Sequence, residues 1–183
     1  MLHALIFGRA PQTVASARAT CLSMPLRDRT RVLSWKEFPD GVRGPFFAAA
    51  ATARALLIVV DAAGDAKHIA AAGSMLYTAL TLDKVVSSGV KMLIIAARAD
   101  VAGARAPAVL RAALGAELDC LRDSHAAVTS LASVIDEKTV PLGGVSGRPF
   151  NFDTDSPIQI TYAAASLKQL ASVNDFIIAT CET

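Results

Sequence analysis

Two short apolar runs constrain the fold of this 183-residue chain more than any other feature. Residues 55–61 read ALLIVVD and residues 91–97 read KMLIIAA. Runs of this length without alternating polar residues are typical of strands buried on both faces of a parallel sheet. Residues 158–163, which follow Pro157, are a third candidate strand. The sequence therefore predicts a core of parallel strands.

Segments with helical periodicity separate these strands. Residues 66–86 carry apolar side chains at helical spacing, and residues 107–122 do the same after Pro107, which suits a first helical turn. A last helix is predicted over residues 171–180. Strands that alternate with helices indicate βαβ crossovers. We therefore expect one α/β domain over residues 1–183, a three-layer, mostly parallel sheet with helices on both faces.

The remaining segments are less regular. Residues 18–26 and 30–38 are interpreted as two strands joined by a polar turn, forming an antiparallel edge pair on the otherwise parallel sheet. Residues 46–53 are predicted to form a short Ala-rich helix. Residues 127–157 form a long polar excursion, and a structureless loop of that length is usually functional or disordered.

Composition argues against several classes of function. The net charge of +2 is too small to indicate direct nucleic-acid binding. The cysteines and histidines are scattered, with no Cys-x-x-Cys pair or zinc-ligand spacing, so reduced thiols and no metal site are predicted. No stretch approaches the roughly 20 apolar residues of a spanning helix, so any membrane anchor is expected to lie outside this chain.

Chemistry is expected at the carboxyl ends of the strands, where open parallel sheets bind ligands. The residues at these ends are Glu37, Asp40, Gly41, Asp61, Arg98, Asp100 and the Ala-rich stretch 163–165. The arrangement resembles that of a GTPase domain, in which a carboxylate at the place of Asp100 accepts hydrogen bonds from guanine N1 and N2. A helix N-cap or a simple loop carboxylate is the alternative role for Asp100.

Five longer stretches carry a more specific resemblance. They are residues 53–63 (ARALLIVVDAA), 75–81 (MLYTALT), 93–100 (LIIAARAD), 117–126 (ELDCLRDSHA), and Phe150-Asn-Phe152 followed by IQITY. Together they resemble successive segments of the β subunit of the signal recognition particle receptor, a family of Ras-like small GTPases. The resemblance runs from about Arg9 to the end of the chain.

The sequence departs from this family where the family holds phosphate. It contains no Gly-x-x-x-x-Gly-Lys-Ser/Thr loop, whose backbone N–H groups and lysine would cradle the phosphates. Residues 2–8 resemble the helix that should follow that loop, so the first strand and the phosphate loop (P-loop) are missing. Either the chain begins late or the protein is natively shortened. The family's Asp-x-Pro-Gly switch is matched by Glu37-Phe38-Pro39-Asp40, with glycine displaced to Gly41.

The base-binding motifs are changed but better preserved. Ala97-Arg98-Ala99-Asp100 stands where the family has Asn-Lys-x-Asp, and the stretch 163–165 stands in place of Ser-Ala-Lys. The resemblance implies that Arg98 lies over the purine face, that Asp100 reads its edge, and that backbone N–H groups around Ala163 and Ala164 meet the guanine O6.

By the same resemblance, the chain would be a receptor subunit at the cytosolic face of the endoplasmic reticulum membrane. GTP with Mg²⁺ would be its cofactor if a phosphate loop lies upstream, and no cofactor is expected otherwise. The receptor α subunit would be the direct partner, and the ribosome and translocon indirect ones. The residues expected on the switch and partner-facing side are Thr13, Ser16, Glu37, Asp40, Gly41, Phe46 and Phe47, the last two either in the interface or in the core beneath it.

Two other hypotheses stay open. The chain could be a nucleotide-free pseudo-GTPase that acts as a scaffold, or an unrelated small α/β enzyme. No catalytic residue is assigned, because no residue clearly positions a water molecule or stabilises transferred charge.

Overall fold

A computed structural model describes residues 19–25, 32–38, 43–129, 139–145 and 147–181. The chain divides into two compact units, Met1–Ala49 and Ala50–Thr183. The second unit contains the parallel sheet and the candidate base-binding residues.

The first unit contains an antiparallel hairpin. β1 (Thr20–Pro25) pairs with β2 (Val32–Glu37), with Thr20 opposite Glu37. The two strands predicted in this region are therefore confirmed. Among the described strands, however, β1 and β2 hydrogen-bond only to each other, so the hairpin is a separate two-stranded sheet. The predicted edge pair on the parallel sheet is not observed, because no described strand continues the hydrogen-bond ladder beyond the hairpin.

Helix α1 (Arg43–Ala50) follows the hairpin and both begins and ends earlier than the predicted segment 46–53. Pro45 lies in its first turn, where the missing N–H costs no intrahelical hydrogen bond. The helix ends in a turn in which the Ala53 N–H donates to Ala50 O at 3.2 Å.

The second unit is built on a parallel sheet with the strand order β3-β4-β5. β3 is Ala55–Asp61, β4 is Lys91–Ala97 and β5 is Ile160–Ala164. β3 and β4 have the bounds predicted from their apolar runs, whereas β5 begins later than predicted. In register, Asp61 lies opposite Ala97, so β3 and β4 end together at one edge of the sheet.

The two apolar runs differ in burial. β4 is the central strand and is buried from Met92 to Ala97. β3 lies at the edge of the sheet formed by the described strands, and Val59 on it is 52% exposed while its neighbours Ile58 and Val60 are buried. The prediction that both strands are buried on both faces is therefore wrong for β3 at Val59, because no described element covers that position.

Helices alternate with the strands as predicted, with one break. The segment predicted as one helix over 66–86 consists of α2 (Ala66–Thr81) and α3 (Asp83–Ser88). Between them Leu82 is extended, at φ −77° and ψ 113°, and forms a β-bridge with Thr139. The chain breaks here because the backbone of Leu82 pairs with another segment instead of continuing the helix.

Asp65 fixes the start of α2. Its Oδ1 accepts hydrogen bonds from the N–H groups of Lys67 and His68, at 3.0 and 3.2 Å, and lies 2.7 Å from His68 Nδ1. The contact with the His68 side chain is the main cause that holds the pKa of Asp65 below its usual value. His68 is thus an exposed residue at a helix N-terminus, as expected for an isolated histidine.

Helix α4 (Pro107–Thr129) begins where predicted but continues past residue 122, and α5 is Ala171–Cys181. α2 and α4 pack closely, since a Cβ placed on Gly73 would lie 2.8 Å from the Cβ of Glu117. α5 packs on β4 and β5. The second unit therefore has the expected α/β architecture of a parallel sheet with packed helices.

Much of the excursion before β5 is packed against α4. Arg122 is buried, and its Nη2 donates to Asp119 Oδ1 and to Arg148 O, each at 2.9 Å. Asp119 Oδ1 also accepts from the Phe150 N–H at 2.8 Å, and Arg148 pairs with Asp155 at 2.9 Å. Residues 130–138 and 146 lie outside the described residues. The described part after them is thus held by a partly buried cluster of ion pairs and hydrogen bonds, which positions the approach to β5.

Aromatic rings continue this packing onto β5. Phe152 meets Phe150 and Tyr162 edge to face, at ring-centroid distances of 5.0 and 5.5 Å. The Arg111 guanidinium lies over the rings of Phe152 and Tyr162, at 5.8 and 5.6 Å. Burial raises the pKa of Tyr162 above its ordinary value.

In the part of the chain that the structure describes, no helix has both the length and the apolar character needed for a membrane span.

Candidate functional site

Backbone hydrogen bonds connect the three loops at the carboxyl edge of the parallel sheet. The Ala62 N–H donates to Ala97 O at 2.9 Å, which extends the pairing of β3 and β4 past the strand ends. The Ala165 N–H donates to Ala96 O at 2.9 Å, and the Ala99 N–H donates to Ala165 O at 3.2 Å. The loops after β3, β4 and β5 therefore form one connected surface.

Asp61 lies at the end of β3 and has both carboxylate oxygens engaged. Oδ1 accepts from the Ala63 N–H at 3.0 Å, and Oδ2 accepts from Arg98 Nη1 at 2.7 Å. The Asp61 side chain is 26% exposed, so the ion pair is partly shielded from water. The strand-end role expected for Asp61 is observed, but its link to Arg98 was not foreseen.

Arg98 has an unusual backbone conformation. Its φ is +58°, and among the described residues other than glycine it alone has a positive φ. The left-handed region costs an L-residue about 1–2 kcal/mol, so the surrounding structure must compensate for it. The side chain is 58% exposed, and its guanidinium points to Asp61, across from β4 to the end of β3. The predicted contact of Arg98 with a purine base stays a prediction.

Asp100 follows two residues later and differs from Asp61 in its exposure and in its partners. It is exposed, and within the described residues it has no hydrogen bond or ion pair. It lies in the turn that begins at Arg98, where the Val101 N–H donates to Arg98 O at 3.1 Å. It also precedes α4 by several residues, so the N-cap alternative is excluded. Its carboxylate is available to a ligand.

Arg105 braces the loop after β3 and was missed by reasoning from the sequence. Its Nη1 donates to Gly64 O at 2.5 Å and to Ala62 O at 3.3 Å. Its backbone N–H also donates to Ala62 O, at 2.9 Å. No motif marks Arg105, since its partners are main-chain carbonyl groups remote in sequence. It ties the loop after β4 to the loop after β3.

The loop after β5 is the third side of this surface. Ala163 is buried and Ala164 is exposed at the strand end. Ser166 and Gln169 then exchange two backbone hydrogen bonds of 3.1 Å each, which close a tight turn. The predicted guanine-binding residues Arg98, Asp100, Ala163 and Ala164 are thus brought to one edge of the sheet.

The predicted switch residues lie in the first unit, and most of them fall outside the described residues. These are Thr13, Ser16, Asp40 and Gly41. Glu37 is exposed at the end of β2. The Phe46 ring meets Phe38 at 5.7 Å and Phe47 at 5.0 Å, both edge to face. Phe47 is buried, which favours the core alternative for that residue.

A GTP site has a half that binds the base and a half that binds the phosphates with Mg²⁺. This chain matches the two halves to different degrees. Guanine presents N1–H and N2–H₂ donors along one edge, and the exposed Asp100 carboxylate offers two acceptors for them. For the phosphates and Mg²⁺, the sequence contains no Gly-Lys-Ser/Thr loop. Within the described ranges, no three His, Cys, Asp or Glu side chains come together as metal ligands. The described residues therefore include an acceptor pair that suits the edge of a guanine base, and the sequence lacks the Gly-Lys-Ser/Thr loop that would hold its phosphates.

Solved structures with a similar fold include signal recognition particle receptor structures. A structure of the mammalian receptor matches with a TM-score of 0.76 at 19% identity, over 98% of this chain and 91% of the other. An SRb-GTP/SRX complex from Chaetomium thermophilum matches with a TM-score of 0.67 at 16% identity, over 91% and 80%. SRb-GDP from the same organism matches with a TM-score of 0.58 at 15% identity, over 75% and 73%. At these identities the likeness shows the fold alone.

Comparison of the sequence with family models identifies the family of this chain. Curated protein sequences give no match. The family model described as the signal recognition particle receptor beta subunit matches residues 2–156, which include β1 to β4 and the helices between them. This match and the shared fold confirm the resemblance seen in the sequence. The chain therefore belongs to the signal recognition particle receptor beta subunit family.

Proposed function

We propose that this chain binds a guanine nucleotide at the carboxyl edge of its parallel sheet and that the bound nucleotide controls docking of the receptor α subunit. In this role it serves cotranslational protein targeting at the cytosolic face of the endoplasmic reticulum. The observation that carries the proposal is Asp100, an exposed carboxylate without a partner among the described residues, in a turn set by Arg98.

Energetic reasoning supports a base-reading role for Asp100. A charged acceptor that meets two donors contributes about 1.5–3 kcal/mol per hydrogen bond when water is excluded. Asp61 and Asp155, in contrast, already accept hydrogen bonds within the chain. An exposed carboxylate without a described partner, in a turn at the sheet edge, suits the two donors of guanine.

The proposed binding of the α subunit rests on family membership and on a similar structure that is a complex. One structural neighbour is an SRb-GTP/SRX complex. By analogy, the α subunit would dock on the face that includes Glu37 and Phe46, and GTP would order that face. The ribosome and the translocon would then be reached through the α subunit.

A nucleotide-free scaffold is the second candidate. The observation that favours it is the absence of a Gly-Lys-Ser/Thr loop from the 183 residues. In that case the chain would hold the α subunit by surface complementarity alone, and Asp100 would be a solvated loop residue. Hydrolysis is not part of either proposal.

Nucleotide extraction from the purified native protein distinguishes the two candidates. The protein is purified without added nucleotide, denatured, and the released small molecules are identified by mass. We expect one guanine nucleotide per chain, and an Asp100→Asn variant prepared in parallel should release much less. GTP or GDP in the extract rules out the scaffold. A nucleotide-free extract, together with no binding to immobilised GTP, rules out the switch.

A second experiment tests the partner. The α-subunit N-terminal region should bind the chain in the presence of a non-hydrolysable GTP analogue and not in the presence of GDP. Equal binding in both conditions would support the scaffold instead.

A further inference from the structure

We propose that Asp61 is a positioning residue of the base-binding loop: its carboxylate holds the Arg98 guanidinium and thereby fixes the turn that presents Asp100. This inference rests on the proposed guanine site, because Asp100 is the group whose position is at stake. It adds a role for Asp61 that neither the sequence motif nor the family match assigns.

Asp61 is itself held in one orientation. Its Oδ1 accepts from the Ala63 N–H at 3.0 Å, so the side chain cannot rotate away without losing that bond. The Ala62 N–H donates to Ala97 O at 2.9 Å, and Arg105 Nη1 donates to Gly64 O in the same loop. The carboxylate therefore points from a fixed loop toward the end of β4.

Arg98 needs such an anchor. Its φ of +58° is a conformation that an arginine adopts only when its surroundings impose it. The 2.7 Å contact between Arg98 Nη1 and Asp61 Oδ2 and the 3.1 Å turn bond from the Val101 N–H are the described interactions that hold it. Because an ion pair that is only partly shielded contributes little to global stability, we expect its main effect to be on the local direction of the chain.

The consequence for Asp100 follows from connectivity. Asp100 lies between Arg98 and Val101, inside the turn that the ion pair and the backbone bond close. With the guanidinium at the end of β3, the apolar stem of Arg98 runs between the two strand ends. The proposed site places a purine on that stem with its N1 and N2 edge toward Asp100, and a released Arg98 would leave that edge unaligned.

The test compares GDP with IDP, which lacks only the 2-amino group of guanine. Binding of both nucleotides to the native protein is measured by calorimetry for wild type, Asp61→Asn, Asp61→Glu and Asp65→Asn. Asp65 is the matched control, because it is an exposed aspartate of the same segment whose contacts are with α2. Hydrogen exchange at the Ala99 and Val101 amides is followed in the same samples.

We expect Asp61→Asn to weaken GDP binding about tenfold and to reduce the GDP-to-IDP preference, since a displaced Asp100 loses its contact with the 2-amino group. The amides of Ala99 and Val101 should exchange faster, while the melting temperature stays close to that of wild type. Asp61→Glu should retain part of the preference, and Asp65→Asn should leave it unchanged.

The outcomes separate the two proposals. If wild type binds neither nucleotide, both the guanine site and this inference fail. If wild type prefers GDP and Asp61→Asn keeps the same preference and the same exchange rates, the inference fails and the guanine site stands. A general loss of structure would weaken GDP and IDP equally, and that result also contradicts a positioning role.

Discussion

Two aspartates, one after β4 and one before β5, show how differently one residue type is used in this molecule. Asp100 is exposed and free of described partners, whereas Asp155 is buried and accepts from the Asn151 N–H, the Thr154 hydroxyl and Arg148. The first is available to a ligand, and the second holds the chain to itself. Each leads to a prediction that a single amide substitution tests.

Asp100→Asn should change the base preference of the site. Asparagine keeps the shape of aspartate but replaces one acceptor oxygen with a donor. It therefore loses a hydrogen bond from guanine and can instead donate to the 2-oxo group of xanthine. We expect GDP affinity to fall about 10- to 100-fold, in line with about 1.5–3 kcal/mol for a hydrogen bond to a charged group, and xanthosine diphosphate to bind better than GDP. Competition binding with the two nucleotides measures this. Asp175→Asn, an exposed site on α5, is the control, and an unchanged preference in Asp100→Asn would contradict a base-reading role.

Asp155 should make stability depend on acid pH. The hydrogen bond from the Asn151 N–H is the largest cause that lowers the pKa of this carboxyl below its ordinary value of 3.8, followed by the Thr154 hydroxyl and the charges of Arg148 and Arg122. A lowered folded-state pKa means that the stabilisation is complete above the unfolded pKa and is lost as pH falls through the folded pKa.

A comparison of wild type with Asp155→Asn checks the direction of this pH dependence of stability. We expect the variant to be less stable at pH 6, and the difference in unfolding free energy to shrink as pH falls below about 4. Urea unfolding across that range measures it. A difference that is constant with pH would show that the Asp155 charge does not contribute, and Asp153→Asn serves as an exposed control.

At the scale of single elements, β3 is an edge strand with one exposed position. Val59→Ala should change the unfolding free energy by less than about 0.5 kcal/mol, because the side chain is already half in water. Val60→Ala, one residue later on the opposite face, should cost about 1–3 kcal/mol through lost burial and a cavity. Thermal or urea unfolding of the two variants gives the comparison. Equal costs would mean that Val59 is covered in the native protein.

The crossing of α2 and α4 depends on Gly73. Glycine-to-alanine substitution inside a helix normally stabilises it by up to about 1 kcal/mol. Here the new Cβ would lie 2.8 Å from the Cβ of Glu117, which cannot swing away as the end of a side chain can. We therefore expect Gly73→Ala to destabilise the protein by about 1–3 kcal/mol. A stabilised variant in an unfolding titration would show that the helices can separate at no cost.

At the scale of the whole molecule, the question is whether residues 1–183 fold as the single domain that we predict. The chain divides into two compact units, and its one tryptophan, Trp35, lies in the first. Most of the described helix lies in the second unit. Tryptophan fluorescence and far-ultraviolet circular dichroism therefore report on different units.

We expect both signals to change at the same urea concentration, because one cooperative domain unfolds in a single step. Two separated transitions would show that residues 1–49 and 50–183 are independent folding units. Adding GDP should raise both midpoints together if the nucleotide site belongs to a single domain.

Much of the fold was predictable from sequence. The bounds of β3 and β4 follow from continuous apolar runs, which are typical of strands in a parallel sheet. The break at Leu82 and the continuation of α4 to Thr129 were not predictable, because local periodicity is compatible with either outcome. At Leu82 the pairing with Thr139, far along the chain, determined the result.

For the site, the sequence was enough to predict which residues reach the carboxyl edge, because the ends of parallel strands must lie together once the strands are known. Asp61, Arg98, Asp100 and the loop at Ala163 were placed there in this way. How they are used follows from the tertiary structure: Asp61 binds Arg98, Arg105 binds carbonyl groups of the β3 loop, and Asp100 has no partner among the described residues. The physical reason is that topology follows from apolar burial along the chain, whereas ion pairs and hydrogen bonds are chosen over a few ångströms between segments that the sequence does not show to be neighbours.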